Sequence, residues 1–166
     1  MHTEYAGDYI DKKIIEEVQS KYSGAQITKD MARRWKENNS FVGTSTPDSP
    51  VMVDFSIEGK AMTLDITDCI QNACESIVDP IVENVKTLIA GSNPEYHDQF
   101  RRNMILAGGG SGIDGLGAMI ERRLSDLGDV NVHVVDDPVR LGAMGGLRLA
   151  MEVPEEMWKN LTLASR

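Results

Sequence analysis

The stretch "MILAGGGSGIDGLGAMI", Met104 to Ile120, constrains the fold of this chain more than any other. An apolar, strand-like run ends on three adjacent glycines, and a helix-like run follows within a few residues. Each glycine costs about 0.5–1 kcal/mol of backbone entropy relative to alanine, so three together imply a backbone that must come close to something. Gly110, Gly112 and Gly115 also satisfy G-x-G-x-x-G, and the next strand-like run, "VNVHVV", ends in Asp136–Asp137, acids of the kind that bind a ribose hydroxyl. A dinucleotide fold is therefore weighed first. Position argues against it: such a fold needs several further strand and helix units, whereas everything after Pro138 reads as helix. Without any ligand, small residues would let a helix pack tightly on its strand. We favour a close backbone approach to a planar or phosphate group.

Upstream of this run the periodicity is different. In "YAGDYIDKKIIEEVQSKY" the apolar residues Ile10, Ile14, Ile15 and Val18 recur at helical spacing, which predicts an amphipathic helix opening just after Gly7. A second helix is predicted in "TKDMARRWKENN", with Thr28 as N-cap and Asn38–Asn39 as its end, followed by a loop in "GTSTPDSP". "VMVDFSIEGKAMTLDI" alternates Val51, Val53, Phe55 and Ile57 inward, turns at Glu58–Gly59 and returns through Met62, Leu64 and Ile66, a β-hairpin. Thr67 then caps a helix through Cys69, Ala73 and Ile77, and Asp79–Pro80 marks a kink or a fresh start with Pro at the first helical position. A helix "PIVENVKTLIA" ends at Gly91.

From "PEYHDQFRR" onward, short helix, strand "NMILAG", glycine loop, helix "IDGLGAMIERRL", strand "VNVHVV" and helix "VRLGAMGGLRLAM" alternate, with a last helix around Glu155 to Leu161. Strands alternating with helices imply a parallel sheet with crossover helices. The expected fold class is α/β, a partial parallel sheet with helices plus an inserted helix-and-hairpin subdomain.

Charge and composition narrow the function classes. The 166 residues suit one ordinary domain or two small lobes, and 41% hydrophobic content fills a core. With 26 acidic against 17 basic residues the formal charge is −9 and there is no basic block, so nucleic acid is not an expected partner. No apolar run reaches the roughly 18–20 residues of a transmembrane segment, and the first residues lack the pattern of a signal peptide, so the chain reads as cytoplasmic. Cys69 and Cys74 stand five apart on a predicted helix, a spacing that suits neither zinc nor a disulfide framework. His97 and His133 have no acid or base partner in the pattern, and no catalytic residue or metal set is assigned.

The order of "AGDYID", "WKENNSFVG", "ACES", "NPEY", "AGGGSGIDGL" and "DDPVRLGAMGGLRLAM", running through nearly the whole chain, resembles the actin-like ATPase superfamily. Within it the likeness is to the bacterial cytoskeletal actins, in particular the magnetosome-associated branch. The resemblance implies a ribonuclease H-like actin fold of which only the second lobe is represented, so the strands "NMILAG" and "VNVHVV" belong in a larger sheet whose neighbours would be missing, leaving an unpaired edge and an uncovered apolar face. It divides the chain into a helix-and-hairpin subdomain at 1–66, the rest of the second lobe with its adenosine loop at 67–137, and C-terminal helices at 138–166 that return toward the first lobe. The family's two phosphate loops, Asp-x-Gly turns that open each lobe, find no match here, which suits either a short gene or a trimmed piece.

Carried over residue by residue, the resemblance places Gly7 against the nucleoside and Lys36 and Glu37 around adenine and the ribose hydroxyls. Gly108, Gly109 and Gly110 become the loop on which the purine lies. Asp137 falls at the connecting turn beside the nucleotide. Ser111 could bond the base or cap the following helix, and the cap is preferred. Read from sequence alone, Lys36 and Glu37 are an exposed helix end.

ATP or ADP with Mg²⁺ is the family's cofactor, of which this chain would hold the adenosine part only, weakly or not at all. Expected partners are copies of itself or full-length actin-like subunits in filaments, together with magnetosome-associated proteins. Three functions follow: the second lobe of a filament protein that organises magnetosome chains by ATP-dependent polymerisation; a truncated paralogue that modulates full-length filaments without its own ATPase; and, remotely, a dinucleotide-dependent enzyme.

Overall fold

The computed structural model describes residues 5–154 and 157–158. Helix α1, Gly7–Lys21, turns Ile10, Ile14 and Val18 inward at intervals of four, so one stripe of it is buried. Helix α2, Lys29–Asn39, begins where the sequence places it: Thr28 Oγ1 accepts from the Met31 amide at 3.2 Å. Between them lies a short strand that alternation did not reveal, β1, Ala25–Gln26. Two residues are too few to show a period of two.

Strands β2, Met52–Ile57, and β3, Lys60–Asp65, form the predicted antiparallel hairpin, with Phe55 opposite Met62 and Val53 opposite Leu64. Its turn residues Glu58 and Gly59 both have positive φ, 50° and 80°, the backbone a two-residue hairpin turn requires. β1 pairs with β2, giving the order β1-β2-β3. Val51, Phe55 and Ile66 are buried as expected, but Met62 is 43% exposed, because burial on β3 begins only at Leu64.

Helix α3, Thr67–Glu75, does not use Thr67 as its cap. Asp65, at the end of β3, accepts from the Thr67 amide at 2.9 Å and from its hydroxyl at 2.5 Å, while the Val51 amide donates to the same hydroxyl at 2.8 Å. The carboxylate is the better acceptor for an orphan amide, so Thr67 becomes the first helical residue and ties the hairpin base to the helix. Helix α4, Val78–Ala90, is a fresh start, with Pro80 at its third rather than its first position; an amide there would have no intrahelical acceptor, so proline is tolerated. Gly91 closes it at φ −80°, an ordinary right-handed end.

A 3-10 turn at Pro94–Tyr96 and helix α5, His97–Arg102, lead into β4, Met104–Leu106. After the glycine turn come α6, Leu116–Arg123, β5, Val132–Val134, and α7, Leu141–Glu152. β4 and β5 are parallel, Met104 opposite Val132 and Leu106 opposite Val134, with α6 as the crossover. One continuous core holds the molecule together: Ile14 of α1, Ile66 just before α3, Ile70 of α3, Val78 and Val82 of α4, and Leu116 with Leu124 at the two ends of α6. Cys69 and Cys74 are free and buried in it.

The expected uncovered face is present. Ile105 of β4 is 69% exposed, and an apolar groove of about 370 Å³ runs beside it between Leu88 of α4 and Phe100 of α5. Helix α7 has no buried residue, with Met144, Leu147, Leu149 and Met151 all outward. The terminal helix predicted around Glu155 to Leu161 lies outside the described residues except for Met157 and Trp158.

Candidate functional site

Three segments distant in sequence meet around one cleft of about 770 Å³. The first is the N-terminus of α1, which lines the cleft with Tyr5, Ala6, Gly7 and Ile10. A Cβ on Gly7 would stand 3.1 Å from Lys36 Nζ, so glycine there makes room for the lysine. The second is the end of α2, with Lys36, Glu37 and Ser40. The third runs from the end of β4 through the turn after it, Leu106, Ala107 and residues 109–113, with Gly108 inside the turn but not on the cleft lining.

The second and third segments are fastened by backbone. The Asp114 amide donates to Ser40 O at 3.1 Å and the Val42 amide to Asp114 O at 2.9 Å, an isolated parallel bridge at Phe41 and Asp114. This bridge brings Glu37 and the glycine turn to the same wall. Gly115, the last glycine of the fingerprint, serves that junction. It has φ +80°, and a Cβ on it would lie 2.5 Å from Ser45 Oγ and 2.8 Å from Val42 O. It is a packing glycine, which disposes of the dinucleotide reading of that position.

The glycine turn has a different logic. Gly108 takes φ +90° and donates to Pro138 O at 2.9 Å, and residues Gly109–Gly112 form a 3-10 turn. Side chains added at Gly109 or Gly110 would meet nothing within 4 Å, and both residues line the cleft with ordinary φ. Neither backbone strain nor internal packing demands glycine at these two positions; open space toward the cleft is what their missing side chains leave.

Ser111 does not cap α6, whose N-cap is Gly115. It is buried, its amide and hydroxyl both donating to Gly108 O at 3.0 and 2.8 Å, so it locks the glycine turn from within. The cap expectation fails because α6 starts three residues later than the apolar run suggests. Asp137 is not brought to the cleft. Its carboxylate accepts from the Arg140 amide at 3.2 Å and its carbonyl from the Leu141 amide at 3.0 Å, so it starts α7. The chain's Asp-x-Gly triplet, Asp126 to Gly128, also lies elsewhere, with Asp126 bonded to Lys86 at 2.8 Å.

Lys36 is held firmly: Nζ donates to Gly7 O at 2.9 Å and stands 2.6 Å from Asp11 Oδ1. Asp11, fully buried on α1, was not singled out from sequence. The signal existed, because it follows Ile10 and precedes Ile14 on the buried stripe, where an acid needs a partner. Arg33 approaches both Asp11 and Asp8, and Asp8 pairs with Lys29 at 2.9 Å, whose hydrogen bond and charge hold the Asp8 carboxyl below its ordinary value. Glu37 makes neither ion pair nor side-chain hydrogen bond among the described residues. On its far side is a second, polar hollow of about 440 Å³ that includes Asn38, Ser45 and Asp114.

Chemically the cleft offers free peptide backbone, an unengaged carboxylate, an anchored lysine and apolar walls from Ile77, Ile81 and Val139. That set suits a flat base with hydroxyls attached. Among the described residues that line it, none forms a nucleophile–base pair.

Comparison with known proteins agrees with this architecture. The MreB/Mbl protein family matches residues 2–157, and the chain belongs to that actin-like, filament-forming family. Among individual relatives, the actin-like protein MamK of Paramagnetospirillum magneticum is 36% identical over 94% of this chain and 44% of its own length. MamK of Magnetospirillum gryphiswaldense is 33% identical over 94% and 43%. Two solved structures, a MamK double helical filament and a non-polymerising MamK mutant bound to AMPPNP, superpose with TM-scores of 0.83 and 0.80 at 37% identity, each over 45% of that chain. The chain thus spans under half the length of the relatives it matches.

Proposed function

We propose that this chain acts as the second lobe of a bacterial actin-like filament protein and carries the adenosine side of its nucleotide site. In that reading Gly109 and Gly110 take the face of the purine, Glu37 accepts from the ribose hydroxyls, and Gly7 with the Lys36 side chain closes the opposite edge. The observation that carries it is the open space at Gly109 and Gly110 on a cleft shared with Glu37, a cradle that no described residue fills. Gly108 and Ser111 shape the turn, and Asp137 acts only through the start of α7.

Bound ATP and Mg²⁺ would supply the phosphate chemistry of the whole assembly. No residue assigned here would hold the phosphates, so the chain by itself should bind ADP weakly and release no phosphate. In this reading the assembled protein polymerises with ATP in the cytoplasm and organises magnetosome chains with magnetosome-associated proteins; the likeness to a MamK filament supports the filament part of it.

Backbone NMR of the chain titrated with ADP to millimolar concentration tests the site, with phosphate release followed in parallel. Shifts confined to the amides of Gly7, Glu37, Gly109 and Gly110 are expected. Their absence would overturn the adenosine reading, and phosphate release by the chain alone would overturn the division of labour. Sedimentation of the chain with full-length MamK and ATP tests the filament role, with altered pelleting expected.

A further inference from the structure

Behind the lining of the cleft lies a buried carboxylate, Asp11, which meets the site through Lys36. It lies four residues after Gly7, one helical turn along α1, with its side chain wholly inaccessible. Neither oxygen has a well-oriented hydrogen bond among the described residues, so its compensation is ionic: Lys36 Nζ at 2.6 Å from Oδ1 and Arg33 Nε at 3.8 Å from Oδ2. A buried charge with so few partners holds its main counter-ion strongly, since losing that partner leaves it uncompensated.

Lys36 is only 15% exposed, and its ammonium is shared between Asp11 and the Gly7 carbonyl. Its neighbour in sequence is Glu37, the free carboxylate of the cleft. Both side chains line the cleft and no cation engages Glu37 among the described residues, so a lysine released from its anchor is a charge that can pair with that carboxylate and neutralise it.

We propose that Asp11 is a positioning residue of this site: it fixes the Lys36 ammonium on the Gly7 carbonyl, out of pairing distance of Glu37, and so keeps Glu37 available to a ligand's hydroxyls. The effect on ligand rests on the reading of the cleft as an adenosine site; the hold on Lys36 does not. One ion pair then sets two edges of the cleft, the α1 terminus and the α2 end.

The experiment compares the full chain with Asp11→Asn, with Asp11→Glu as the charge-conserving variant, and with Val18→Ala, which cuts the α1 core away from Lys36. Amine acetylation with limiting acetic anhydride is read by peptide mass spectrometry, with exposed Lys12 as internal reference. In the parent chain Lys36 should label several-fold more slowly than Lys12. Asp11→Asn should remove that protection, Asp11→Glu should restore part of it, and Val18→Ala should leave it intact. ADP affinity, followed at the Gly110 amide, should fall about tenfold in Asp11→Asn, the loss of one well-placed charged contact, and stay unchanged in Val18→Ala.

Equal labelling of Lys36 and Lys12 in the parent chain would overturn the proposal even if no variant folds. Unchanged labelling or unchanged ADP affinity in Asp11→Asn would do the same. If the parent chain gives no ADP response, the adenosine reading fails and the labelling alone decides whether Asp11 holds Lys36.

Discussion

Gly110 and Gly115 stand in the same run, and side chains added at the two would meet opposite surroundings. At Gly115 a methyl group would press on Ser45 Oγ and on the Val42 carbonyl in a left-handed backbone, so Gly115→Ala should lose about 2–4 kcal/mol in urea unfolding. At Gly110 a methyl group would point into open space, so Gly110→Ala should unfold within about 0.5 kcal/mol of the parent while weakening ADP binding in the NMR titration. The pair separates a glycine kept for the fold from one kept for a ligand. Cys74 offers a pH test: burial pushes its thiol up from 9.0 to about 11. The folded value is the higher one, so its contribution to stability is complete below pH 9.0 and is lost as pH rises toward about 11. Between these values the parent chain should lose more of its urea midpoint than Cys74→Ala does.

Among elements, the hairpin and its following helix form one unit joined by Asp65 and Thr67. Thr67 holds the Asp65 carboxyl below its ordinary value through its hydroxyl first and its amide second. Asp65→Ala should remove the acceptor at the start of α3 and lower stability by about 1 kcal/mol, measured by thermal unfolding. Because the folded Asp65 titrates below the ordinary 3.8, its contribution is present above that value and fades as pH falls through the folded one. The hairpin and α1 were legible from periodicity because each keeps one apolar face over several repeats, and α2, which buries only Ala32, was legible from its Thr28 cap and its asparagine end. Short elements were not: β1 has two residues, and the start of α6 was masked by an apolar Ile113 that belongs to the turn before it.

For the whole molecule, the feature with the largest consequence is apolar surface without cover. Helix α7 and the groove at Ile105 put Leu88, Phe100, Met144 and Leu147 in water, an arrangement that favours association. Leu147→Lys, at a residue 61% exposed, should reduce self-association in analytical ultracentrifugation without lowering the melting temperature. A chain that spans under half the length of its relatives would meet a partner surface there in the assembled protein we propose.

The sequence by itself determined the α/β class, the hairpin and its turn, the parallel strands and the glycine turn, because these follow from local periods and from backbone positions that few residues can occupy. The order of its short motifs also pointed to the actin-like family. Only the tertiary structure decided which glycines face open space, that Gly115 is locked under Ser45, that Ser111 closes the turn and that Asp137 stays outside the cleft. It alone joined Asp11 of α1 to Lys36 of α2. The physical reason is distance along the chain: a local pattern fixes which face of an element is apolar, but a buried charge or an empty cradle is defined by the element packed opposite, which no local period records.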